Sequence, residues 1–67
     1  MKLYIARDKD GELYLYFTPF RRVPVLRIDD LGIFMKRDAA NKIKLNKNMF
    51  PKVTWENSPK EVILQLV

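Results

Sequence analysis

Sixty-seven residues are enough for one domain, and a chain this short buries only about 60% of the surface it exposes when unfolded. It contains no cysteine and no histidine, which excludes disulfides, thiolate zinc sites and the usual general base near neutral pH. With a net charge of +5 and 48% apolar residues, stability must come from packing or from self-association.

The opening Met1-Lys2-Leu3-Tyr4-Ile5-Ala6-Arg7 is too short in apolar residues for a signal segment, and charges follow at once. No stretch approaches the roughly 20 apolar residues that span a bilayer. The expected setting is cytoplasmic, with no membrane partner.

Leu3–Arg7 and Glu12–Phe17 are rich in aromatic and aliphatic residues, and Asp8-Lys9-Asp10-Gly11 separates them. Gly11 tolerates positive φ and aspartates favour turns, so this reads as a β-hairpin. Pairing Arg7 with Glu12 sets Ile5 opposite Tyr14 and Leu3 opposite Tyr16 on one side. Tyr4 and Ala6 then join Leu13, Leu15 and Phe17 on the other. Both faces are largely apolar, so the hairpin should sit centrally, covered by later elements or by a partner.

Thr18 to Pro24 is a break, because its two prolines cannot donate to a ladder. Within it Phe20, Arg21 and Arg22 form a candidate contact loop with an apolar tip; the plainer reading is a connector with surface arginines. Val25–Ile28 is a short edge strand, Asp29-Asp30-Leu31-Gly32 a turn, and Ile33–Lys36 a third strand candidate. Arg37–Asn41 is polar and turn-like. Lys42-Ile43-Lys44-Leu45-Asn46 alternates strictly, as in a half-buried strand with Ile43 and Leu45 inward. Lys47-Asn48-Met49-Phe50-Pro51 predicts a single 3₁₀ or helical turn near 47–50, Val53–Trp55 a short extended piece, and Asn57-Ser58-Pro59 another turn. Glu61–Val67 closes the chain as a strand. The expected fold is mainly β, one small antiparallel sheet of five or six short strands curled into a roll or barrel.

The charge is uneven. Residues 1–35 balance at +1 and residues 53–67 at −1, while residues 36–52 carry +5. Lys36, Arg37, Lys42, Lys44, Lys47 and Lys52 are the candidate binding surface for an anionic partner, either nucleic acid or a protein with an acidic surface. A solvated, solubilising face explains the same residues. Curled sheets also bind single strands by stacking bases on aromatics, for which Tyr4, Tyr14, Tyr16, Phe34 and Trp55 are available, although a small core needs those residues too.

Chemistry finds little support. A calcium loop starting at Asp8 would need glycine at Leu13 and glutamate at Pro19. Asp29 and Asp30 diverge in extended structure, no nucleophile stands beside a base, and two glycines cannot make a phosphate loop. The residues point away from an enzyme and name no metal or cofactor.

Three segments carry a resemblance: Met1 to Tyr16, Gly32-Ile33-Phe34, and Leu45 to Val62. The most specific part is Phe50-Pro51-Lys52-Val53-Thr54-Trp55-Glu56-Asn57-Ser58-Pro59. Together they resemble a group of small uncharacterised proteins of phages, prophages and other mobile elements of gut bacteria. The group's pattern has an acidic residue where this chain has Lys52. The resemblance implies no activity or site residue; it implies a genetic setting in which small proteins bind and block host machinery, CRISPR nucleases and other defences included. The run itself has a structural explanation, with Trp55 anchoring the core and Asn57 and Ser58 capping a turn fixed by Pro59. The readings that remain are a non-enzymatic interaction module of such an element, a small nucleic-acid-binding domain using residues 36–52, and a homo-oligomer such as a homodimer.

Overall fold

A computed structural model describes residues 2–19, 23–37 and 40–63, with Lys2 described through its backbone. Six strands follow one another: β1 (Lys2–Arg7), β2 (Leu13–Thr18), β3 (Val25–Ile28), β4 (Ile33–Lys36), β5 (Asn41–Leu45) and β6 (Lys60–Val62). They form two antiparallel sheets, one ordered β5-β2-β1-β6 and one pairing β3 with β4. The mainly β fold is as the alternation predicts, and the β1–β2 hairpin is central as its two apolar faces require. The sheet does not close into a barrel: β3 and β4 leave it and stack as a separate ribbon. Among the described residues there is no helix.

The hairpin register differs from the expected one by one residue. Arg7 pairs with Leu13, not Glu12, because a three-residue loop closes the turn. Asp8 N–H donates to the Glu12 carbonyl at 2.8 Å, and Gly11, at φ 96°, donates to the Asp8 carbonyl at 3.0 Å. The shift re-sorts the faces. Leu3 and Ile5 now share one side with Leu13, Leu15 and Phe17, while Tyr4 and Ala6 share the other with Tyr14 and Tyr16.

The tyrosine side receives the β3–β4 ribbon. Ala6, Tyr16, Val25 and Phe34 form the buried cluster, with Tyr14 and Trp55 packed against it. Two backbone-level ties fix the ribbon: Lys9 N–H donates to the Gly32 carbonyl at 2.8 Å, and Phe34 N–H donates to Asp8 Oδ1 at 3.1 Å. Gly32 is required there, since it sits at φ 67° and an added Cβ would lie 2.8 Å from Lys9 Cβ.

The segment 46–59 is a loop held by its own side chains. Met49 N–H donates to the Asn46 carbonyl, giving the turn expected near 47–50 without a helix. Val53–Trp55 is not a strand; Thr54 opens a turn in which Asn57 Oδ1 accepts from Thr54 N–H at 2.8 Å. Asn57 Nδ2 reaches back to the Lys52 carbonyl, and Ser58 Oγ donates to the Thr54 carbonyl at 2.5 Å. Trp55 meets the Phe34 ring edge-on at 5.1 Å between centroids. The anchoring and capping expected of this run are therefore present. The last strand covers Lys60–Val62; the expected continuation over 64–67 lies outside the described residues.

Candidate functional site

The side of the sheet facing away from the ribbon carries an extended apolar surface. Register places Leu3, Ile5, Leu15, Phe17, Leu45 and Val62 on it from four adjacent strands. Met49 and Phe50, from the 46–59 loop, stand against this floor, and Ile63 edges it beside Val62. Together they line a groove of about 570 Å³ with no polar residue among its described lining. The border is open to solvent, with Met49 and Phe50 44% and Ile63 81% exposed, and Ile43, opposite Leu15 on the same face of edge strand β5, 49% exposed. An open apolar groove bordered by exposed side chains is a candidate contact surface.

Arg7 builds the groove's wall. It sits at the loop end of β1, and its guanidinium donates five hydrogen bonds to backbone carbonyls. Nε reaches Val53 at 2.6 Å, Nη1 reaches Gly11 at 2.7 Å and Lys47 at 2.9 Å, and Nη2 reaches Met49 at 2.9 Å and Phe50 at 3.2 Å. The planar fork suits carbonyls converging from the hairpin turn and the 46–59 loop, which a point-charge ammonium would not match. Ser58 Oγ accepts from Arg7 N–H at 2.9 Å, so the same residue also fixes the loop's far end. Phe50, at φ 50°, is held in the left-handed region by this clasp.

The basic candidates are spread over β4 and the residue after it, edge strand β5 and the 46–59 loop. Lys42 and Lys44 share a face of edge strand β5, and each is engaged. Lys42 Nζ lies 4.0 Å from the Tyr14 ring centroid and 5.8 Å from that of Tyr16. Lys44 Nζ pairs with Glu12 at 3.3 Å, and that hydrogen bond raises its pKa above the ordinary lysine value. Arg37 is structural: its N–H donates to the Pro24 carbonyl at 2.7 Å and its Nε to the Val25 carbonyl at 3.4 Å. Lys36 is exposed at the end of β4, and Lys47 and Lys52 are exposed in the 46–59 loop. Phe20, Arg21 and Arg22 lie outside the described residues. The stacking platforms are also spent. Tyr4, Tyr16 and Phe34 are buried, Lys42 covers Tyr14, and the Arg27 guanidinium covers Trp55 at 3.9 Å.

The chain matches no family model, no curated protein and no solved structure. Among the described residues no group of three or more acidic side chains could hold a metal ion.

Two buried polar groups sit between the sheets. The Tyr16 hydroxyl is fully buried and has no hydrogen-bond partner among the described residues. Burial, then the Asp8 carboxylate and Tyr14, push its pKa far above that of an ordinary phenol. An unsatisfied buried hydroxyl costs about 1–3 kcal/mol. Tyr16→Phe is therefore expected to stabilise the domain by about 1 kcal/mol, raising Tm by roughly 4–8 °C. A lowered Tm in calorimetry contradicts this.

Asp8 is buried as well, and burial raises its pKa above 3.8, opposed by the Phe34 hydrogen bond and by Lys42. The folded state then holds the Asp8 proton more tightly than the unfolded chain does. Its contribution is most favourable at low pH and declines as pH rises from 3.8 through the raised value. Asp8→Asn keeps an acceptor for Phe34 N–H and removes the charge. The variant should lose this decline and match or exceed the parent at pH 7, as urea midpoints at pH 4 and 7 will show; a less stable variant at pH 7 refutes it.

Proposed function

We propose that the chain is a non-enzymatic protein-interaction module whose working surface is the apolar groove. The observation that carries this reading is the groove itself: four strands and a clasped loop present a continuous, all-apolar lining that stays open to solvent. Enclosed small-molecule pockets carry a few polar groups to orient their ligand. An open trough bordered by half-exposed side chains suits a length of polypeptide better. The setting implied by the mobile-element resemblance, a cytoplasmic protein that blocks a host defence complex, is consistent with this reading. Nucleic-acid binding through residues 36–52 is less well supported, because the aromatics it would use are buried or covered.

A photo-reactive side chain at Ile43, on the groove border, tests the reading against one at Met35, on the outer face of the β3–β4 ribbon. Cross-links to a protein from Ile43, absent from Met35 and lost on adding Phe50→Asp, are expected. Asp suits the left-handed conformation at position 50, so that variant should fold. Equal capture at both positions, or capture indifferent to Phe50→Asp, overturns the assignment.

A further inference from the structure

Resting on that reading of the groove, we propose its occupant: an amphipathic segment of a partner protein whose apolar side chains are bordered by carboxylates. The groove's lining and its rim differ in charge. Lys60 lies opposite Ile5 in the β1–β6 ladder and so shares the groove's face. Lys47 and Lys52 are exposed on the loop that carries Met49 and Phe50. Residues 41–53, which supply the wall and one edge strand, contain no acidic residue. Of the nearby acidic residues, Glu12 in the hairpin turn pairs with Lys44, Glu61 lies opposite Tyr4 on the ribbon side of the sheet, and Glu56 is exposed six residues beyond Phe50 on the same loop. An occupant thus meets an uncharged floor and a positive rim.

The same charges disfavour a second copy. Two molecules joined along β5 in antiparallel fashion about Ile43 would set Lys42 against Lys44 in both directions, and like charges directly opposite destabilise a ladder. Two molecules joined face to face would oppose rims of equal positive sign, each on a chain of net charge +5.

Exposed charge pairs are individually weak and screened over about 8 Å at physiological salt, so the rim sets specificity more than affinity. The test uses the full chain and three fluorescent peptides of equal length: an alternating Leu/Ile core with Glu flanks, the same core with Lys flanks, and the Glu flanks around a Ser/Gly core. The Glu-flanked apolar peptide should bind at least tenfold more tightly than the Lys-flanked one, and the Ser/Gly peptide should not bind. Lys47→Glu combined with Lys60→Glu should abolish the preference, and Ile43→Asp should weaken both apolar peptides. Equal binding of the two apolar peptides overturns the acidic rim while leaving the groove as a binding surface. Binding of neither overturns the groove reading as well. A concentration-dependent dimer in sedimentation that Ile43→Asp dissociates assigns the groove to a second copy, and binding gained only on deleting residues 64–67 assigns it to the chain's own segment; either result defeats the proposal.

Discussion

Replacing Arg7 by alanine is expected to lower stability by about 3 kcal/mol and to free the 46–59 loop from the sheet. Hydrogen bonds to a charged group contribute about 1.5–3 kcal/mol each, but five that share one guanidinium are not additive, and carbonyls released by alanine regain water. A chain of this length has a total stability of roughly 3–10 kcal/mol, so the loss is a large share. Arg7→Lys separates charge from geometry. It keeps the positive charge yet offers one ammonium to carbonyls of five residues, Gly11, Lys47, Met49, Phe50 and Val53, and should recover less than half of the loss. Urea midpoints measure the magnitude. Amide exchange locates it, since Met49, Val53 and Asn57 should lose more protection than β1 and β2, which fall only by the global loss. An unchanged midpoint for Arg7→Ala, or protection lost uniformly, removes Arg7 from this role.

That role could not be read in the sequence, because Arg7 is a strand-ending arginine like any other until its register neighbours are known. What could be read was local. The strand at Lys42–Asn46, the turn at Asp29–Gly32 and the proline-fixed Asn57-Ser58 cap each depend on residues within a few positions of one another, although β5 covers Asn41–Leu45 and Ile43, expected inward, is 49% exposed because nothing among the described residues packs over it. The hairpin was equally visible, but its register was not. Four residues separate Arg7 from Glu12, and both a four-residue and a three-residue closure satisfy Asp8-Lys9-Asp10-Gly11. The choice falls to contacts made at a distance: the Asp8 side chain accepts from Phe34 N–H and the Lys9 backbone donates to Gly32. That single step sorts tyrosines to the core side and aliphatic residues to the open side. It therefore decides which surface is a candidate site. The charge asymmetry points to residues 36–52, whereas three of those cations are paired with a ring, a carboxylate or a carbonyl. The groove's ingredients were legible as two apolar hairpin faces; that among the described residues only one of them is covered by a second sheet is a property of topology.

Phe34→Ala is the second large expectation: it should abolish cooperative folding at 25 °C or leave a transition weakened by about 3–5 kcal/mol. Phe34 is 2% exposed and brings the ribbon into the only buried cluster found among the described residues, where it touches Trp55. A two-stranded ribbon is not stable alone, so β3 and β4 persist only while their inward side chains are docked. Of these, Val25 and Phe34 join the cluster, and Phe34 supplies most of the volume. Loss of its ring leaves Trp55 without its edge contact and leaves the Tyr16 ring facing a void that a small domain cannot collapse around cheaply. Phe34→Leu fills most of that space and should cost about 1–2 kcal/mol. Trp55 fluorescence reports the ribbon side directly, because Trp55 is the single tryptophan and lies between Phe34 and Arg27. In Phe34→Ala its emission should shift red at urea concentrations below the midpoint seen by circular dichroism, as the ribbon lifts before the four-stranded sheet melts. Coincident transitions at the parental midpoint would show that the two sheets are held together by something other than this ring.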